Sequence, residues 1–184
     1  DIKPGNIMID RLGNIKLIDF GRAIVIGEKV SFLLGSPMYM PPEAHRREAG
    51  VANSDCYSLG LVAIEMLRGR PLTDKANVTE EELLAIKMGL PEKLREILPS
   101  HVVANNALVS ILRKFVEPDQ AKRYTNAREA EVGDDGLKVI DKQLVRAGLD
   151  SEYARDLADY LSKLVDPATQ RVEVEKAEEG SGAS

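Results

Sequence analysis

The strongest constraint on the fold of this chain is an almost uninterrupted apolar run, Tyr57–Leu67. Gly69 and Pro71 end the run, and Ser54 and Asp55, just before it, are residue types that favour the start of a helix. A helix that is apolar on most sides has to be buried. We therefore predict a helix with Ser54 as its N-cap that passes through the centre of the domain.

Further helical signals follow this run. Thr79 and Glu82 have the spacing of a capping box, which predicts a helix over roughly 79–88. Apolar residues recur at helical spacing within 104–116. Shorter patterns predict additional helices near 92–98, 126–132, 136–147 and 151–165. The chain is therefore predicted to be mainly α.

A small β-hairpin is predicted near the amino terminus. Residues 7–10 and 15–18 are apolar and rich in β-branched side chains, and residues 12–14 between them supply turn chemistry. Asn6 precedes the first strand and Asp19 follows the second. Because a hairpin brings its two ends together, these two side chains are predicted to be able to bind one cation. Residues 22–42, with two glycines and three prolines, are predicted to form an irregular surface loop.

Composition narrows the class of protein. The 184 residues suffice for one domain with a sizeable core, and 43% hydrophobic with 30% charged residues is typical of a globular protein. A net charge of -5 argues against nucleic acid as a partner, and no apolar stretch is long enough to span a membrane. The single cysteine, Cys56, fits a reducing cytoplasm. His45 and His101 are isolated, which argues against a histidine metal site.

Three short strings carry the chemistry: Asp1-Ile-Lys-Pro-Gly-Asn6, Asp19-Phe-Gly21 and Pro41-Pro-Glu43. Their leading acids are separated by 18 and then 24 residues. In this order and spacing the strings resemble the C-terminal lobe of a eukaryotic-type (Hanks-type) serine/threonine protein kinase. The fold that this resemblance implies is a helical lobe with a small β-hairpin that carries the metal-binding residues.

The resemblance also implies roles for individual residues. Asp1 would be the catalytic base, and Lys3 would neutralise charge on the transferring phosphoryl group. Asn6 and Asp19 would hold the Mg²⁺ that accompanies ATP, and they are the predicted cofactor-binding residues. The hydroxyl of Ser36 would bridge Asp1 and Lys3. A lysine at position 3 is typical of members that act on serine or threonine, so the expected partner is a protein substrate with such a hydroxyl.

Residues outside the catalytic strings match the family as well. Glu43 resembles an acid that forms a buried ion pair with a distant arginine, here Arg123. Asp55 resembles the acid at the start of the central helix that accepts hydrogen bonds from the catalytic loop. Ser31 is the only hydroxyl residue between Gly21 and Gly35. It is either a site of activating phosphorylation or an ordinary solvated serine, and the sequence leaves both open.

The resemblance sets expectations for the extent of the domain. Residues 1–133 are predicted to be the C-terminal kinase lobe, 134–166 a helical extension, and 167–184 a disordered acidic and Gly/Ser-rich tail. The resemblance further implies that the N-terminal lobe is absent, including its Gly-rich loop and strand lysine. The isolated piece is therefore expected to be inactive, and the activity is expected of the intact parent.

Two other functions remain open on the sequence. One is a pseudokinase-like binding or scaffolding module, but such proteins usually lose the base or a metal-binding residue, and these residues are all present here. The other is a small-molecule kinase of related fold. Those enzymes lack a clear Pro-Glu segment with an arginine partner, whereas this chain has both elements at Glu43 and Arg123.

Overall fold

The computed structural model describes three stretches of the chain: residues 1–28, 36–149 and 153–164. They divide into two compact units. The first contains Asp1–Ile7 and Ile18–Asp150, and the second contains Met8–Leu17 and a helix near the carboxyl end of the described chain. None of the helices in the described stretches combines the length and the apolar composition needed to cross a membrane.

Helices dominate the described residues, which confirms the predicted class. They are α1 Pro42–His45, α2 Ala52–Arg68, α3 Glu80–Met88, α4 Leu90–Ile97, α5 Ser100–Val103, α6 Asn106–Phe115, α7 Ala127–Val132, α8 Lys138–Arg146 and α9 Tyr153–Leu164. The strands are β1 Ile7–Ile9 and β2 Ile15–Leu17, which pair as one two-stranded sheet.

Helix α2 is the predicted central helix, and its buried side chains include Tyr57, Leu61 and Ile64. The prediction of Ser54 as its N-cap is wrong, because the N-cap is Val51, three residues earlier, and the helix begins at Ala52. Ser54 lies in the first turn, where its hydroxyl accepts a hydrogen bond from the Val51 N–H group at 3.3 Å. The serine thus satisfies a free donor of the helix terminus from inside the helix.

The core forms where α2 packs against α6. A methyl group in place of the Gly60 hydrogen would lie 2.7 Å from the Phe115 Cβ and 2.9 Å from a Val116 methyl group. Glycine at this position therefore permits the close approach of the two helices. Burying a large apolar side chain contributes about 1.5–3 kcal/mol, so this contact is a main source of stability. The core includes Leu61, Ile64, Leu94, Val109, Leu112, Phe115 and Tyr124.

The start of α3 and the end of α2 have the predicted capping residues. The Glu82 N–H group donates to the Thr79 hydroxyl at 3.2 Å, and the Thr79 N–H group donates to the Glu82 carboxylate at 2.9 Å, which confirms the capping box. Helix α2 ends at Gly69, whose φ of 69° lies in the left-handed region that glycine favours. The sequence does not predict α1 and α5, because a four-residue helix is too short to show a period.

The predicted loop over residues 22–42 is partly wrong. Its last part contains a 3₁₀ turn at Pro37–Tyr39, and Pro42 is already the first residue of α1. Prolines stand at the start of both elements, where the missing N–H group costs nothing. Residues 29–35 lie outside the described residues.

The hairpin of the second unit has a tight turn. The Asp10 carboxylate accepts hydrogen bonds from the N–H groups of Leu12 and Asn14, each at 2.9 Å. Gly13 has a φ of 79°, a conformation that a glycine adopts without strain. These contacts explain why the predicted hairpin forms with strands of only three residues each.

The region predicted as a helical extension contains two helices. Helix α8 belongs to the first unit, and its Val139 and Ile140 pack against the main core. Helix α9 belongs to the second unit. The tail predicted over 167–184 lies outside the described residues, and the boundaries at 133 and 166 stay predictions.

Candidate active site

The Asp1 carboxylate is the centre of the candidate active site. Its side chain is only 5% exposed. The Lys3 ammonium group lies 2.8 Å from Oδ2, and the Arg22 Nε lies 3.9 Å from the same oxygen. The other oxygen, Oδ1, accepts a hydrogen bond from the Ser36 backbone N–H group at 3.1 Å. Three groups on different segments therefore fix the orientation of this carboxylate.

Asn6 also contacts Asp1. Its Nδ2 donates to the Asp1 carbonyl oxygen at 2.9 Å and approaches the Asp1 carboxylate at 3.5 Å. A 3₁₀ turn over Pro4–Asn6 makes these contacts possible, and Lys3 before it is extended, as expected for a residue that precedes proline. The amide nitrogen bonds to Asp1, and the amide oxygen Oδ1 accepts no hydrogen bond within the described residues.

Asp19 directly follows a residue that bonds to Asn6. The Ile18 N–H group donates to the Asn6 carbonyl oxygen at 3.0 Å. Asp19 itself has a φ of 59°, which is uncommon for a residue other than glycine and costs about 1–2 kcal/mol. Its carboxylate is exposed and accepts a hydrogen bond from the Gly21 N–H group at 3.2 Å. Within the described residues it forms no ion pair.

The donor set of Asn6 and Asp19 fits a hard divalent cation. One amide oxygen and one carboxylate are the oxygen ligands that Mg²⁺ accepts while it keeps several waters. Within the three described stretches, no cluster of three or more His, Cys, Asp or Glu side chains could hold a metal by itself. The residues therefore fit a magnesium ion that shares its coordination with nucleotide phosphates, and they do not form an all-protein metal cage.

Ser36 contributes differently from the prediction. Its backbone N–H group, and not its hydroxyl, reaches Asp1. The hydroxyl makes no hydrogen bond within the described part of the chain and bridges neither Asp1 nor Lys3. A backbone donor needs no particular side chain, so this contact does not depend on the serine at position 36.

Glu43 and Arg123 form a buried bidentate ion pair. Two nitrogens of the Arg123 guanidinium group donate to the two carboxylate oxygens of Glu43, at 2.7 and 2.8 Å. Glu43 is 1% exposed and Arg123 is 2% exposed. Ser54 also donates to Glu43, at 2.9 Å, and Arg123 lies 4.6 Å from the centre of the Tyr57 ring. Burial alone would raise the pKa of Glu43, but the hydrogen bonds and charge of Arg123 outweigh burial and lower it.

Sequence reasoning missed two contacts next to the site. Arg22, which directly follows the Asp19-Phe-Gly21 string, approaches Asp1. The Tyr39 hydroxyl donates to Glu65 at 2.7 Å, and burial together with this bond raises the pKa of Tyr39. The only signal for the second contact was an acid, Glu65, within the apolar run of the central helix.

Two predicted residues are not brought into the site. Asp55 is exposed in the first turn of α2 and accepts no hydrogen bond from residues 1–6. In the described stretches it is an acid that suits the positive end of a helix. Ser31 lies outside the described residues, so its predicted role in regulation stays a prediction.

Comparison with known proteins agrees with the motifs. A family model described as the protein kinase domain matches residues 1–132. The serine/threonine-protein kinase PrkC of Bacillus subtilis (strain 168) is 34% identical over 135 residues, which is 71% of this chain and 20% of PrkC.

Eukaryotic proteins match over similar ranges. The cAMP-dependent protein kinase catalytic subunit PRKX of Mus musculus is 36% identical over 130 residues, 70% of this chain and 34% of the relative. Ribosomal protein S6 kinase alpha-6 of Homo sapiens is 32% identical over 164 residues, 85% of this chain and 20% of the relative. The chain thus spans between about a fifth and a third of the length of these curated relatives.

Proposed function

Because the chain belongs to the protein kinase family, we propose that the whole protein carrying it transfers the γ-phosphate of ATP to serine or threonine hydroxyls of protein substrates. One observation carries the proposal. The Asp1 carboxylate is almost buried, and Lys3, Asn6 and Ser36 hold it in one orientation. Phosphoryl transfer depends mainly on such positioning and on electrostatics.

Asp1 acts on the attacking hydroxyl. Its carboxylate accepts the hydrogen bond of the serine or threonine hydroxyl and receives its proton as the new bond to phosphorus forms. Lys3, at 2.8 Å from this carboxylate, places positive charge beside the transferring group. This proximity supports the role for Lys3 that the resemblance to the family implies.

Asn6 and Asp19 hold the magnesium ion of the nucleotide in this proposal. The amide oxygen of Asn6, which accepts no hydrogen bond within the described residues, and the exposed Asp19 carboxylate would be the ligands. When bound, the ion neutralises charge on the phosphates and positions them. The left-handed backbone at Asp19 supports a functional role, because strained residues tend to persist where function requires them.

Lys3 supports the choice of serine and threonine over tyrosine. The name of one relative, the serine/threonine-protein kinase PrkC of Bacillus subtilis, agrees with this choice. The free, buried thiol of Cys56 supports a location in the cytoplasm.

The test is the chemical identity of the phosphorylated residue. The whole protein would be incubated with γ-labelled ATP, Mg²⁺ and two matched peptide libraries, one with serine and threonine and one with tyrosine as acceptors. We expect label on serine or threonine, and none with an Asp19→Asn variant. Label on tyrosine alone, or on a small molecule, would contradict the proposal. Nucleotide binding without any transfer would instead favour a pseudokinase-like scaffold.

A further inference from the structure

Lys87 in helix α3 is the most unusual charged residue outside the candidate active site. It is fully buried, with 0% of its surface exposed. Its ammonium group donates to the carbonyl oxygens of Pro37 at 2.6 Å and Met40 at 2.7 Å, and it lies 2.9 Å from Nε2 of His45. Within the described residues no carboxylate forms an ion pair with it.

The three contacts saturate the ammonium group. An ammonium has three N–H donors and no acceptor, and two carbonyl oxygens and a ring nitrogen receive all three. Burial, followed by the charge of Lys87, lowers the pKa of the His45 imidazole to about 4, which favours the neutral ring. In the tautomer that carries its proton on Nδ1, Nε2 accepts the third hydrogen bond.

A buried lysine at this position is costly for the fold. Burial lowers the pKa of Lys87 to about 7, so the surroundings disfavour the positive charge. An apolar residue of similar length would avoid this cost. The lysine instead bonds both ends of one short segment, the 3₁₀ turn at Pro37–Tyr39 together with Met40.

This segment connects the candidate active site to the rest of the domain. At its start the Ser36 N–H group contacts the Asp1 carboxylate, and at its centre Tyr39 bonds to Glu65. Pro41 and α1 follow at its end and lead to the buried Glu43. Pro37 is exposed, and Met38 and Tyr39 are half-buried, so part of this segment is accessible from solvent.

We propose that Lys87 is a positioning residue for the protein substrate, which fixes the backbone of residues 36–41 so that this segment can receive the peptide around the target hydroxyl. The identity of the substrate in this inference rests on the proposed function. The effect of Lys87 on residues 36–41 does not depend on that function. The proposed function and the effect of Lys87 can therefore fail separately.

The variant Lys87→Met tests the inference in the whole protein. It removes the three donors and keeps an unbranched chain. We expect the KM for a peptide substrate to rise about 10- to 100-fold, the value of about one charged hydrogen bond, while the KM for ATP stays unchanged. Backbone amides of Ser36, Met38, Tyr39 and Met40 should exchange with solvent at least about tenfold faster.

Two further variants make the result decisive. Lys93→Met removes an exposed lysine of the neighbouring helix α4 and should change neither quantity. If Lys87→Met does not fold, His45→Leu removes one acceptor only and should give the same pattern at smaller amplitude.

Unchanged hydrogen exchange over residues 36–41 in a folded variant would overturn the inference. Faster exchange with an unchanged peptide KM would overturn the substrate role. If the wild-type protein transfers no phosphate, the proposed function fails, and hydrogen exchange still decides whether Lys87 fixes the segment.

Discussion

Replacing Asp1 by asparagine in the whole protein should lower the rate of phosphate transfer by about 10²–10⁴-fold. Asparagine keeps the shape of the side chain, and its single amide oxygen can still accept the hydrogen bond of the Ser36 N–H group, while its NH2 group replaces the oxygen that accepts from Lys3. It cannot receive the proton of the attacking hydroxyl. The fall should therefore appear in kcat at saturating ATP and peptide, measured by incorporation of labelled phosphate.

The matched control for this prediction is Asp74→Asn. Asp74 is an exposed acid whose partner, Arg70, is also exposed. Its replacement should leave kcat unchanged within about twofold, because exposed ion pairs contribute little. A kcat for Asp1→Asn that equals the control would mean that the carboxylate takes no part in the chemical step.

Replacing Arg123 by methionine should lower the free energy of unfolding by about 3–5 kcal/mol. The change leaves Glu43, which is 1% exposed, without the partner that compensates its burial. It also removes the donors to the carbonyl oxygens of Glu117 and Pro118. Urea unfolding of this chain, followed by circular dichroism, measures the loss.

Two controls separate the buried pair from ordinary loss of charge. Arg113→Met breaks the exposed ion pair with Glu92 and should cost about 0–1 kcal/mol. Adding Glu43→Leu to Arg123→Met should recover part of the lost stability, since it removes the unpaired charge. If the double variant were as unstable as the sum of the single variants, the pair would not be coupled.

The same pair predicts a pH dependence with a definite sign. The folded-state pKa of Glu43 lies below its ordinary value of 4.5. A carboxyl group with a lowered pKa contributes stability that is present above pH 4.5 and is lost as the pH falls through the folded value. The difference in stability between wild type and Arg123→Met should therefore shrink in this acidic window.

Local signals in the sequence were sufficient for elements whose cause is local. The capping box of Thr79 and Glu82, the left-handed Gly69 and the Asp10 turn each depend on neighbours within a few residues. The start of α2 was missed because Ser54 can cap from inside the first turn as well as from the N-cap position. One-turn helices such as α5 leave no periodic pattern.

Contacts between distant residues could be predicted only through the family resemblance. Glu43 and Arg123 are 80 residues apart, and no local pattern links them. Lys87 contacts Pro37 and His45, which precede it by 50 and 42 positions. In the sequence it has the pattern of an ordinary helical lysine. The Ser36 contact was assigned to the wrong atom, because a motif specifies side chains and is silent about backbone donors.

The most direct test of the central claim is whether a divalent ion binds beside Asn6 and Asp19. The whole protein would be labelled with ¹⁵N-asparagine and ¹⁵N-glycine and titrated with Mn²⁺ and a non-hydrolysable ATP analogue. We predict selective broadening of the Asn6 side-chain amide and of the Gly21 backbone amide, which contacts the Asp19 carboxylate. The broadening should be lost in Asp19→Asn and kept in Asp74→Asn. Sharp signals from Asn6 and Gly21 in the wild-type protein, at saturating nucleotide and metal, would contradict the account.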